Sequence, residues 1–153
     1  MRKYVWTVTI IAACFISVIG IQSSAKQTAA RKAAEAWLPL LDAQKYGESW
    51  EKLSPIVKKT ISKEHWEIGL SELRSPLGKL KSRTFFSTDY MKSLKGSPKR
   101  EGVMVQFMSQ FENGSIFEYV GTTHDKDGKW RVTAYRRIPP QKKSADENFR
   151  FRL

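Results

Sequence analysis

The chain has 153 residues, with 27 Lys and Arg against 15 Asp and Glu for a net charge of +12. That length holds one ordinary domain and excludes two, and a composition 41% hydrophobic and 12% aromatic closes a core, which excludes wholesale disorder. A single cysteine excludes an intrachain disulfide framework and a Cys-based zinc site.

Arg2 and Lys3 open the chain, and the run from Tyr4 to Ile21 then carries no charge over 18 residues. Small residues Ser23 and Ala25 follow at the −3 and −1 positions of a signal-peptidase site, so residues 1–25 read as an export signal cleaved after Ala25. The run is longer than an ordinary signal core and close to the length that spans a bilayer, so an uncleaved anchor over residues 4–21 is the alternative. Ile11-Ala12-Ala13-Cys14 resembles a lipobox, which adds lipid attachment at Cys14 as a third possibility, although the residues after it stay apolar. Each of these places the protein outside the cytoplasm, in the periplasm, secreted, or held at the inner membrane. Cleavage after Ala25 removes Arg2 and Lys3 and lowers the charge from +12 to +10.

From Lys26 the apolar spacing is helical. Ala30, Ala33, Ala34, Trp37, Leu38 and Leu41 form one stripe, opposite Arg31, Lys32 and Glu35. Pro39 removes a backbone donor inside this stretch and is expected to bend the helix or begin a new turn. Tyr46, Trp50, Leu53 and Val57 predict a second short helix interrupted at Ser54-Pro55. Ser62 is a capping residue for a third, with Glu64 in its first turn and Trp66, Leu70, Leu73 and Leu77 on its stripe. Ser75-Pro76 and Gly78 end it.

Beyond Gly78 the period changes to two. Lys81 to Met91, Val103 to Phe111, Ile116 to Thr123 and Trp130 to Ile138 read as four strands. The joins are the loop Lys95-Gly96-Ser97-Pro98, an Asn113-Gly114 hairpin turn with positive φ at both positions, and a reversal at Asp125-Lys126-Asp127-Gly128. Pro139-Pro140 ends the last strand, and residues 139–153 form a basic, disordered tail. Helices followed by an antiparallel sheet define an α+β domain over residues 26–138, with the helices laid across one face of a curved sheet and a cavity between the layers.

Few residues carry chemistry. His65 reads as a helix-surface residue and His124 as a solvated one, and neither has metal-ligand spacing. Asp125 to Gly128 echoes the start of a calcium loop but lacks its distal Glu, so it reads as a turn. Asp42 and Glu48, near a helix end and flanking Tyr46, are the two carboxylates that apolar neighbours could turn into a general base. Bonding to backbone amides at the helix junction is the plainer reading of both. The basic surplus is scattered over Lys58-Lys59, Lys79, Lys81, Arg83, Lys92, Lys95, Lys99-Arg100, Arg136-Arg137 and Lys142-Lys143, unlike a single-strand nucleic-acid groove interleaved with aromatics.

Several segments in order carry a resemblance. Ala36-Trp37-Leu38, Leu41-Asp42-Ala43, Lys45-Tyr46, Glu48-Ser49-Trp50, Arg74-Ser75-Pro76-Leu77-Gly78 and Ser82-Arg83 in the first half look like a bacterial exported family, domain of unknown function 4019. Val105-Gln106-Phe107, Phe111, Glu118, the run Asp125 to Val132 and Tyr135 agree with it, and coverage runs from about Ala29 to Ile138. The resemblance implies a small exported α+β domain similar to the nuclear-transport-factor-2-like, or cystatin-like, cone, with no agreed catalytic residues.

The expectation is therefore a non-enzymatic envelope module that binds a ligand or a protein, with Asp42, Tyr46, Glu48, Tyr119 and Tyr135 as pocket residues. One alternative is a small isomerase or dehydratase using Asp42 or Glu48 as base and a tyrosine as hydrogen-bond donor. The other is electrostatic binding to anionic envelope polymers. No cofactor, metal or specific nucleic-acid partner is expected. A periplasmic protein or an anionic envelope component is the expected partner, with membrane contact through the N-terminal segment if it is retained.

Overall fold

The computed structural model describes residues 5–92 and 101–139, with side chains from residue 24 onward. Cys14, the loop 95–98 and the tail 140–153 lie outside the residues so described.

Helix α1 runs without interruption from Val5 to Asp42, so Ala25 lies inside a helix. It also passes through Pro39 without a break. Pro39 is exposed and falls in the last turn, and the helical partner it withholds is that of exposed Glu35, on a side of the helix open to solvent. Termination comes a turn later. Gln44 takes φ 57°, its amide bonds Leu41 O at 3.0 Å, and the Lys45 amide bonds Leu40 O at 2.8 Å. This is the Schellman pattern, with glutamine in the left-handed position that glycine usually fills.

Three short helices follow: α2 Tyr46–Glu51, α3 Pro55–Lys58 and α4 Lys63–Arg74. The break between α2 and α3 is used by the sheet, since the Ser54 amide donates to Val132 O at 2.9 Å and Leu53 bridges Val132. Ser62 caps α4 as expected, accepting from the His65 amide at 3.2 Å. A single 3₁₀ turn, Ser75–Leu77, and Gly78 at φ 72° turn the chain into the sheet.

The sheet is a four-stranded antiparallel meander in the order β1 Leu80–Met91, β2 Gly102–Phe111, β3 Gly114–His124 and β4 Trp130–Ile138. Register shifts at Leu80/Ser82, Phe85/Ser87 and Gly121/Thr122 are bulges of the kind that concentrate twist. One turn differs from expectation. Phe111 pairs with Gly114, so the loop residues are Glu112 and Asn113, and only Gly114 has positive φ, at 144°. The cause is a neighbour: the Glu112 and Asn113 amides donate to Lys79 O and Leu77 O, each at 3.0 Å, which fixes that turn against the end of the helical layer.

All four helices lie on one face. Ala30, Ala34, Trp37, Leu38 and Leu41 of α1 join Leu53 and Leu70 against Val103, Val105, Phe107, Val120 and Val132 of the strands. A second, smaller cluster of Leu77, Phe111 and Ile116 closes the far end. The domain is α+β, as the sequence implies.

Candidate functional site

Among the described residues, packed rings occupy space between the helices and the sheet, where a cavity was expected. Trp37 lies between Trp66 and Tyr135, with ring centroids 6.2 and 5.9 Å away. Its indole N–H donates to Ser49 O at 3.0 Å, and that of Trp66 donates to Ser49 Oγ at 3.0 Å. Burying these rings is tolerable because both polar edges are bonded.

Next to the rings lies a charged cluster that joins α1, α4 and all four strands. Glu118 sits on β3 between Ile116 and Val120, on the core face, and is 0% exposed. Its Oε1 accepts from Arg74 at 2.9 Å and from the Tyr135 hydroxyl at 2.6 Å. Its Oε2 accepts from Arg83 Nε at 2.7 Å and from Ser109 Oγ. Asp42, at the end of α1, accepts from Arg74 at 2.6 Å and from both terminal nitrogens of Arg83 at 2.7 and 2.9 Å. Two arginines thus face two carboxylates, and every carboxylate oxygen is bonded.

The electrostatics follow from this geometry. Burial pushes the Glu118 carboxyl up, but the Arg83 charge and the bonds from Arg83, Ser109 and Tyr135 outweigh it and hold the group below its ordinary value. Burial, reinforced by the adjacent Glu118 charge, pushes the Tyr135 phenol well above its ordinary range. Arg83 rises despite burial because Asp42 and Glu118 hold it. Both carboxylates are held in ion pairs with the two arginines, and taking a proton from a substrate would mean breaking those pairs, so this cluster is a clamp between layers.

The expected pocket residues therefore separate into three places. Asp42 and Tyr135 meet in the clamp. Tyr46 and Glu48 line an open groove of about 650 Å³ between α2 and α4. Glu48 there is 60% exposed and pairs with Lys45 at 3.1 Å, so it lacks the apolar surroundings a base requires. Tyr119, expected on the inner face, lies on the outer one. Its register partner on β2 is Gln106, one position off the buried row Val105 and Phe107. Arg83 leaves the scattered basic surface to which the sequence assigned it. Three clamp members, Arg74, Ser109 and Glu118, were not among the expected pocket residues, although Arg74 and Glu118 carry part of the family resemblance and an acid at the core parity of β3 is itself a signal, because a buried carboxylate requires cations around it.

Elsewhere, His65 is exposed and its Nδ1 lies 2.7 Å from Ser62 Oγ. Asp127 pairs with Arg131 at 2.6 Å, and Asp125 with the same guanidinium at 3.0 Å, which makes the Asp125 to Gly128 turn a braced hairpin. Among the described residues no group of three or more potential ligands could hold a metal.

None of the described helices covers the outer face of the sheet. Met104 and Met108 of β2, Phe117 and Tyr119 of β3, Ile138 of β4 and Phe86 in the β1 bulge all project there. Phe86 is 59% exposed and meets Phe117 edge-on at 5.3 Å. Phe117 in turn lies 6.5 Å from Tyr119. Gln106, Gln110, Asp89 and Arg136 supply polar groups around this patch.

No curated protein and no solved structure matches the chain. A family model, described as a protein of unknown function and designated DUF4019, matches residues 33–135, about two thirds of the length. The match begins inside α1 and ends at Tyr135, so it spans the helical layer, the clamp and the sheet, and the chain belongs to the DUF4019 family.

Proposed function

We propose that this chain is a non-enzymatic, protein-binding module of the bacterial cell envelope that meets its partner with the outer face of the sheet. The observation that carries this reading is the uncovered patch of Phe86, Phe117, Tyr119, Met104, Met108 and Ile138. Its composition is that of an interface core, rich in aromatic residues and methionine, with an arginine at the rim. The patch is a sheet face, which suits a protein surface better than a small molecule that needs a concave pocket. Support also comes from the carboxylates, since Asp42 and Glu118 are consumed in the clamp and Glu48 is exposed against Lys45. The isomerase-like reading therefore lacks a base. Helices across one face of an antiparallel meander are compatible with a nuclear-transport-factor-2-like cone, a fold class that hosts many binding proteins. The export pattern at residues 1–25 supports the envelope location.

A photo-crosslinking residue placed at Phe86, in the native host, tests this. A discrete protein adduct at position 86, absent when the same residue replaces exposed Glu64 on α4, is the expected result. Identical patterns at the two positions overturn the reading.

A further inference from the structure

The continuity of α1 has a bearing on what becomes of the first 25 residues. The Ala25–Lys26 peptide bond sits inside the helix, and the residues next to it are already committed to the fold. Lys26 Nζ pairs with Glu101 at 2.8 Å and lies 5.9 Å from the Tyr90 ring centroid. Thr28 Oγ1 donates to Ser24 O at 2.9 Å, and Ala30 is 0% exposed in the core. Cleavage after Ala25 strips the amides of residues 26–29 of their helical acceptors. It also sets a new ammonium group at the positive end of the helix dipole. Both effects disfavour the cleaved form.

The direction of α1 is fixed at both ends. Lys26 meets Glu101 and Tyr90, Arg31 lies 3.8 Å over the Phe85 ring, and Asp42 meets Arg83. The N-terminal half therefore leaves past the end of the sheet where β1 passes to β2 and β3 passes to β4. Exposed Lys92, Lys126 and Lys129 lie at that end. Of the acids there, Glu101 pairs with Lys26, Asp125 and Asp127 share Arg131, and Asp89 accepts from the neutral Gln106 amide. Among the described residues no salt bridge engages Lys92, Lys126 or Lys129, and these three charges outnumber Asp89 and the second carboxylate on Arg131, so the end keeps a small positive surplus. Lys26 lies five helical steps beyond Ile21, a rise of about 7.5 Å, and the apolar run is about 27 Å long. That length approaches the hydrocarbon thickness of a bilayer. Among the described residues no helix is long and apolar enough to cross a membrane. The run 4–21 precedes the residues whose side chains are described.

We propose that the chain retains α1 as a single membrane anchor and that the lysine-bearing end of the sheet rests on the anionic phospholipid head groups of the same membrane. Arg2 and Lys3 would stay on the cytoplasmic side, which puts the domain on the other side. This rests on the export reading and not on the sheet-face partner, so failure to crosslink at Phe86 leaves it standing.

Two measurements test it on the full chain. Intact mass of the protein recovered from host membranes is expected to retain residues 1–25, whereas a product beginning at Lys26 overturns the anchor. For docking, an environment-sensitive fluorophore is attached at Asp127→Cys in a Cys14→Ser background. The protein is reconstituted in phosphatidylethanolamine vesicles with or without about a third phosphatidylglycerol. Asn113→Cys, at the opposite end of the sheet, serves as control. Head-group quencher is expected to reduce the signal at 127 severalfold more than at 113. The difference should require phosphatidylglycerol and disappear in Lys92→Glu/Lys126→Glu/Lys129→Glu. High salt on the unmodified lysines checks this without mutation, because head-group attraction is screened beyond about 10 Å at 0.1 M. Equal quenching at the two positions, or quenching indifferent to lipid charge and salt, overturns docking.

Discussion

Glu118 and Tyr135 share one hydrogen bond but respond to opposite ends of the pH scale. The Glu118 carboxyl is held below its ordinary 4.5, so near that pH the unfolded chain binds more protons than the folded one. Its contribution is therefore fully present above about 4.5 and is lost as pH falls below it. The Tyr135 phenol is raised above its ordinary 10.0, so its contribution is present below about 10 and is lost as pH rises further. Urea unfolding between pH 3 and 11 is expected to show a plateau with a fall on each side. Glu118→Gln removes the charge that neutralises two buried arginines and should destabilise the domain at pH 7 by about 3 kcal/mol. It should also flatten the acid fall, and an unaltered acid limb would assign that fall to other groups.

At the level of elements, the sequence was informative wherever one period dominates. The α1 stripe, the Ser62 cap and the four strands stand close to where apolar spacing and turn residues put them, because these signals act over a few neighbouring residues. Misreadings arose where a distant group decides the outcome. The Asn113-Gly114 turn shifts by one residue because Leu77 and Lys79 claim its amides. Tyr119 changes face because the β3 register is set by pairing with β2. Of the clamp, Asp42 and Tyr135 were legible as pocket residues, but not the ion pairs that join them, because Arg74 and Arg83 reach Glu118 from 44 and 35 residues earlier in the chain. Pro39 belongs here too. It is exposed, and its only evident effect is the loss of one helical hydrogen bond, so Pro39→Ala is expected to stabilise the domain by about 1–3 kcal/mol in denaturant unfolding. A loss of stability would show that the ring holds the end of α1 in place.

Across the whole molecule, the two surfaces argued for function lie on different parts of the domain: the outer sheet face, and the end from which α1 leaves. Substitutions on one should leave the other intact. Phe86→Asp replaces an exposed ring on a strand edge and is expected to shift stability by no more than about 0.5 kcal/mol. The same change should abolish any adduct formed from a crosslinker at Tyr119, and membrane recovery of the chain should not alter. A variant that unfolds or leaves the membrane would show that the outer face is structural.

The course of α1 also bears on mechanics. Tension on the N-terminal half is transmitted along the helix axis and reaches the sheet across the face on which α1 packs. Asp42, held by Arg74 and Arg83 at the far end of that helix, takes the load after the whole stripe from Ala30 to Leu41 has been engaged. The helix is therefore loaded along its full contact with the sheet and cannot be peeled off one turn at a time.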